Sequence, residues 1–124
     1  MLSDIVGISR HYQRSIRIDM DLGRADALEG YICHGTALAA LDTMSKQLRD
    51  SNQRAFTWTG PFGGGKSSLA CALACAIGQD KKLRAKARSL LPLDSLPAFD
   101  KALPTKRGWL TVPVVGKRTS VVQE

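Results

Sequence analysis

The stretch Gly60-Pro61-Phe62-Gly63-Gly64-Gly65-Lys66-Ser67-Ser68 constrains this chain more than any other. It fits the spacing G-x-x-x-x-G-K-[ST], with Gly60, Gly65, Lys66 and Ser67 in the four fixed places. At average composition such agreement arises by chance with a probability on the order of one in a hundred or less in a chain this short. The flanks suit the motif. Arg54-Ala55-Phe56-Thr57-Trp58-Thr59 is rich in β-branched and aromatic residues and reads as a strand, and Leu69 to Ile77 reads as a helix.

The residue types state the chemistry. Gly63, Gly64 and Gly65 permit backbone angles that other residues resist and put no side chain between the chain and a ligand, so several N–H groups can converge on one phosphate. A helix beginning near Lys66 adds the partial positive charge of its first turn. Lys66 would reach the β- and γ-phosphates, Ser67 would ligate magnesium through its hydroxyl, and Ser68 would donate to the α-phosphate. The bland alternative is a glycine-rich turn with a lysine cap. The expected ligand is ATP or GTP with Mg2+, held by Gly60, Pro61, Phe62, Gly63, Gly64, Gly65, Lys66, Ser67 and Ser68.

Composition narrows the setting. The 124 residues amount to one small domain with a single core. No apolar run approaches the roughly 20 residues of a membrane span, and the N-terminus lacks the pattern of a secretory signal, so the expectation is a cytoplasmic protein without a membrane partner. Three cysteines, Cys33, Cys71 and Cys75, argue against a disulfide framework. Cys71 and Cys75 lie one helical turn apart with no partner at zinc spacing, and they read as small buried hydrophobes.

A net charge of +7 raises nucleic acid or a membrane surface as a partner. The richest segment holds Lys81, Lys82, Arg84, Lys86 and Arg88. At about 100° per residue the five charges spread around most of a helix, and no aromatic residue interleaves them, which favours a solvated surface.

Along the chain, Ser15 to Asp19 alternates in the period of a short strand or extended arm, and Asp21 to Gly30 is a turn-rich connector. Ala37, Leu38, Leu41, Met44 and Leu48 recur at helical spacing to about Arg49, with Thr36 as cap. The helix after the glycine loop is apolar on all sides and is expected to lie buried against a sheet, closed by Gly78. Asp80 is placed to cap a basic helix to about Leu91, and Pro92, Pro97 and Pro104 break up the stretch beyond it. Trp109 to Val115 reads as a second strand, at an edge or bulge because of Pro113, and Ser120 to Glu124 as the start of a helix.

On these motifs the chain resembles the opening of the nucleotide-binding domain of AAA+ and STAND-type P-loop ATPases, most strongly over residues 30 to 80. The resemblance implies an α/β fold, a three-layer P-loop sandwich lacking the later strands of its sheet. It divides the chain into an N-terminal arm at 1–30 and a partial nucleotide-binding domain at 31–124, with a Walker A motif and no Walker B. It also implies a base pocket near Tyr31 to Cys33, whereas His34 reads as a surface turn residue. The acidic strand of such ATPases has only a poor mimic in Leu90-Leu91-Pro92-Leu93-Asp94, so hydrolysis is expected to be deficient, with no catalytic residue to name. The chain thus reads as the N-terminal piece of a larger ATPase. As such it would expose the apolar face of its Leu69 to Ile77 helix and associate with itself or with the remainder of its parent. Two alternatives share the motif: a nucleic-acid-associated module of a helicase, translocase or defence-type ATPase, and a small kinase-type protein.

Overall fold

Helical periodicity is what builds the core. In a computed structural model, which describes residues 7, 15–51 and 53–116, α1 is Ile18–Asp21, α2 Gly35–Asp50, α3 Lys66–Ile77, α4 Lys81–Leu90 and α5 Pro97–Ala102. Two 3-10 turns, Asp26–Leu28 and Leu93–Ser95, complete the described elements. The apolar stripe foreseen on α2 is the one it buries: Leu41 and Met44 reach the core, with Leu38 and Leu48 packed at its margin. Ser45 shares that face and resolves its own polarity, its hydroxyl donating to the Leu41 carbonyl at 2.6 Å. Its N-cap is His34, so Thr36 does not cap it.

Helix α3 is mostly alanine, leucine and cysteine, which combines high helix propensity with small side chains that let neighbours approach. Ala72 and Ala76 are fully buried, with Leu69, Cys71 and Cys75 beside them. Its partner is α4, and α1 and the Asp26–Leu28 turn pack on it as well. α4 starts where its capping residue predicts, Asp80 accepting from the amides of Lys82 and Leu83 at 2.8 and 3.0 Å. α2 packs instead on α5, whose Phe99 is fully buried. Pro97 opens α5 at a position where its missing N–H costs nothing, so this proline starts a helix.

Among the described residues there is no β-strand and no sheet, so the three-layer α/β sandwich expected from the sequence is not the fold. Strand composition supplies one half of a ladder, and the other half is missing here. From Arg54 to Thr59 the side chains alternate as in a strand, with Phe56 and Trp58 against the core and Ala55, Thr57 and Thr59 exposed. Yet the backbone from Arg54 to Thr59 makes no backbone–backbone hydrogen bond to another of the described residues. The Trp109 to Val115 stretch forms a single parallel bridge, Gly78 with Trp109, through the Trp109 amide and the Ile77 carbonyl at 2.7 Å. Between these two stretches lie α3, α4 and α5, whose backbone hydrogen bonds are made within each helix. The expected extended arm at Ser15 to Asp19 ends as the first turn of α1, held by the Asp21 carboxylate on the Arg17 amide at 2.8 Å.

The apolar residues of α3 are therefore covered by helices, and none from Leu69 to Ile77 is exposed, contrary to expectation. Exposed apolar side chains gather instead at Leu110, Val112 and Val114. The helix start expected at Ser120 to Glu124 lies outside the described residues.

Candidate functional site

The glycine loop leads straight into α3. Gly63 and Gly65 both have positive φ, 75° and 73°, the left-handed region that side chains disfavour, and at both a Cβ would meet only open space. Steric fit thus permits other residues there, and backbone conformation is what selects glycine. Between them Gly64 donates its amide to the Pro61 carbonyl at 3.3 Å, closing a turn over Phe62 and Gly63, and Phe62 is fully exposed at the apex.

Gly65 is the N-cap of α3 and offers no side-chain acceptor, so the first-turn amides of Lys66, Ser67 and Ser68 stay uncapped. The first intrahelical bond is Leu69 N–H to the Gly65 carbonyl at 2.9 Å. Lys66 turns back across the loop, and its ammonium donates to the carbonyls of Gly60 and Pro61 at 2.8 and 2.6 Å. The Lys66 ammonium thus lies over the loop that leads into a helix start without a side-chain cap. Ser67 is exposed and Ser68 half-buried, so all nine residues picked from the motif lie in this loop and first turn.

The donor set suits phosphate. The residue expected to ligate magnesium is Ser67, through its hydroxyl, and no cluster of three or more His, Cys, Asp or Glu residues is placed to hold a metal among the described residues. The ion would therefore take its remaining ligands from phosphate oxygens and water, a mode that suits a cation reluctant to dehydrate.

Other residues singled out from the sequence fall elsewhere. Cys71 and Cys75 are buried, and burial pushes the Cys71 thiol up to about 11 and raises that of Cys75 as well. Tyr31 and Cys33 pack at the edge of the core with their ionisation raised by burial, the Tyr31 hydroxyl to about 12, while His34 is exposed. Leu91 and Leu93, from the mimic of an acidic strand, are core residues around a 3-10 turn, and Asp94 beside them is exposed. Asp100 is engaged by the Arg88 guanidinium at 2.9 Å.

A depression of about 480 Å3 lies between α2 and the segment before the loop, lined by residues that include Met44, Gln47, Phe56 and Trp58. It carries no charged side chain. A second groove, of about 560 Å3, holds Lys81, Arg84, Arg88, Asp100 and Lys106 in its walls. Within a basic segment whose five charges spread around the helix, three lie close together. Lys81, Arg84 and Arg88 fall within an arc of about 60° at about 100° per residue, while Lys86 is engaged elsewhere, near Glu29 at 3.7 Å. The spacing is visible in the sequence. The fourth cation, Lys106, arrives from a loop that only the fold brings there.

Among the described residues no helix is long and apolar enough to cross a membrane. The sequence matches no family model, no curated protein and no solved structure.

Proposed function

We propose that this chain binds the phosphates of a nucleoside triphosphate, ATP or GTP with Mg2+, through residues 60 to 68, in the manner of P-loop proteins of the AAA+/STAND type. The observation that carries the reading is the Lys66 ammonium folded over a loop whose two left-handed glycines precede an uncapped helix start. A phosphate would take over the Lys66 charge from the Gly60 and Pro61 carbonyls. It would also meet the unpaired amides of the first turn, where the helix dipole favours an anion. Ser67 would contribute its hydroxyl to the magnesium ion, which screens the charge of the phosphate chain when bound. Hydrolysis calls for a group that orients water. The acids nearest to that task in character are the exposed Asp94 and the Asp100 engaged by Arg88, and neither is assigned to it.

The test is titration of a fluorescent ATP analogue with and without magnesium. Lys66→Ala is expected to abolish binding while leaving the far-ultraviolet spectrum unchanged, and Ser67→Ala to lose the magnesium dependence more than the phosphate contact. Equal affinities for wild type and Lys66→Ala would end the proposal. Phosphate release by the wild type is expected to run no faster than by Lys66→Ala at any protein concentration.

A further inference from the structure

The basic groove is a different place from the glycine loop. It opens where α3 ends, since Arg84 in its wall donates Nη1 to the Gly78 carbonyl at 2.6 Å. The loop sits at the other end of α3, and the 12 residues of that helix span about 18 Å.

Four cations line the groove against one carboxylate. Asp100 accepts two bonds from Arg88 Nη2 at 2.9 Å, so the acid is matched within the wall and Lys81, Arg84 and Lys106 remain in excess. Lys81 and Lys106 are exposed, and neither is in an ion pair among the described residues. Arg88 keeps its other terminal nitrogen, Nη1, buried without a hydrogen-bond partner among the described residues.

An aromatic ring is tied to one wall of the groove. Trp109 is 44% exposed, and its indole Nε1 donates to the carbonyl of Pro104, itself part of the groove wall, at 3.0 Å. The segment is seated by Gly108, at φ 74°, where a Cβ would lie 2.7 Å from Arg84 Nη1. Lysines and arginines that track a phosphate backbone, beside an aromatic face on which a base can stack, are the two parts of a single-strand nucleic-acid site. Duplex has no unstacked base to offer the ring.

We propose that the groove between α4 and the 104–109 segment binds single-stranded nucleic acid, phosphates along Lys81, Arg84 and Lys106 and one base on Trp109. The site is independent of the glycine loop. Its chemistry also agrees with the net charge of +7 carried by the chain.

Fluorescence polarisation with a labelled oligothymidine of about 20 nucleotides, titrated from roughly 50 to 500 mM KCl, tests it. With about three phosphates neutralised, log affinity is expected to fall with log salt at a slope near −2, about −0.7 per contact. Lys81→Gln/Lys106→Gln, both on exposed side chains, is expected to bring the slope to about −0.7 and to weaken binding about twentyfold at roughly 0.1 M salt. Trp109→Ala is expected to weaken it about tenfold. Lys66→Ala should leave oligonucleotide binding untouched, which separates this site from the nucleotide proposal. No binding of the oligonucleotide overturns the proposal, and so does an unchanged salt slope in the double lysine variant. Retention on anionic phosphatidylserine vesicles with no oligonucleotide binding would assign the groove to a membrane surface and overturn it equally.

Discussion

Replacing Gly108 by alanine is the sharpest probe of how the 104–109 segment is held. The residue has φ 74°, and forcing an L side chain into the left-handed region costs about 1–2 kcal/mol. The new Cβ would also collide with the Gly78 carbonyl oxygen and lie 2.6 Å from Gln79 Cα and 2.7 Å from Arg84 Nη1. Ordinary contacts begin at 3.4 Å, so to clear the Gly78 oxygen the segment must withdraw by roughly 1 Å. That movement strains the Trp109 amide bond to Ile77, 2.7 Å long and worth about 1 kcal/mol net. Strain, collision and the lost bond together come to at least about 3 kcal/mol, a large share of a domain stability of about 5–15 kcal/mol. For a chain of this length the midpoint of thermal unfolding should drop by about 10 °C. Two controls separate the causes. Gly23→Ala carries the positive φ of 86° with nothing within 4 Å of the new methyl and is expected to lose only about 1–2 kcal/mol. Gly35→Ala, in the first turn of α2 with open space around it, is expected to be neutral or slightly stabilising. Calorimetry and urea unfolding of the three variants decide the matter. If Gly108→Ala unfolds with Gly35→Ala, the segment is not seated on Gly78 and Arg84, and the wall of the basic groove is misplaced.

Asp80→Ala removes the carboxylate that caps two amides of α4 and is expected to cost about 1 kcal/mol, with Asp80→Asn recovering most of it, measured by urea unfolding. The Cys71 thiol supplies a pH dependence with a definite sign. Its folded value, about 11, lies above the ordinary 9.0 because burial disfavours the thiolate, so its contribution is fully present below pH 9 and is lost as pH rises from 9 through 11. Stability measured against pH should fall over that window, and Cys71→Ala should flatten the fall.

The helices are legible in the sequence because their signals are local. Asp80 marks the start of α4, the Leu41 and Met44 stripe gives the buried face of α2, and the alanine-rich run gives α3, all without knowledge of any distant residue. The loop conformation is legible for the same reason, since Gly63 and Gly65 take positive φ within a few residues of one another. The strands are not, because pairing is not local. Phe56 and Trp58 do alternate inward, yet a ladder needs a second backbone at about 4.8 Å, and no sequence period reports whether one arrives. Burial of α3 is foreseeable, but with a sheet as cover; helices supply it instead, because α4 follows after only Gly78, Gln79 and Asp80 and folds back on it. The groove is half legible. Lys81, Arg84 and Arg88 share a stripe that counting all five charges obscures, whereas Lys106 and Trp109 join them through Gly108, a long-range fit that spacing does not encode.

Helix α3 explains why two anion sites would need different protein chemistry at its two ends. At the loop end the helix start has no side-chain cap and a positive dipole end, so on the proposed reading backbone alone would attract phosphate and Lys66 would add one formal charge. At the groove end the carbonyls of the last turn present the opposite sign, and an anion placed there would be repelled by the same dipole. Arg84 removes part of that obstacle, because its guanidinium donates to the Gly78 carbonyl and answers the negative end with a full positive charge. Attraction at this end must then come from side chains, which is where Lys81 and Lys106 stand. Mobile, solvent-facing ammonium groups hold a sequence of phosphates along a strand without fixing any one of them, and their grip is screened by salt. A glycine cradle does the reverse, fixing one phosphate by backbone geometry. The steep salt dependence assigned to the groove therefore should not extend to nucleotide binding at the loop. Measuring both ligands across one salt series would show whether the two ends of α3 differ in this way.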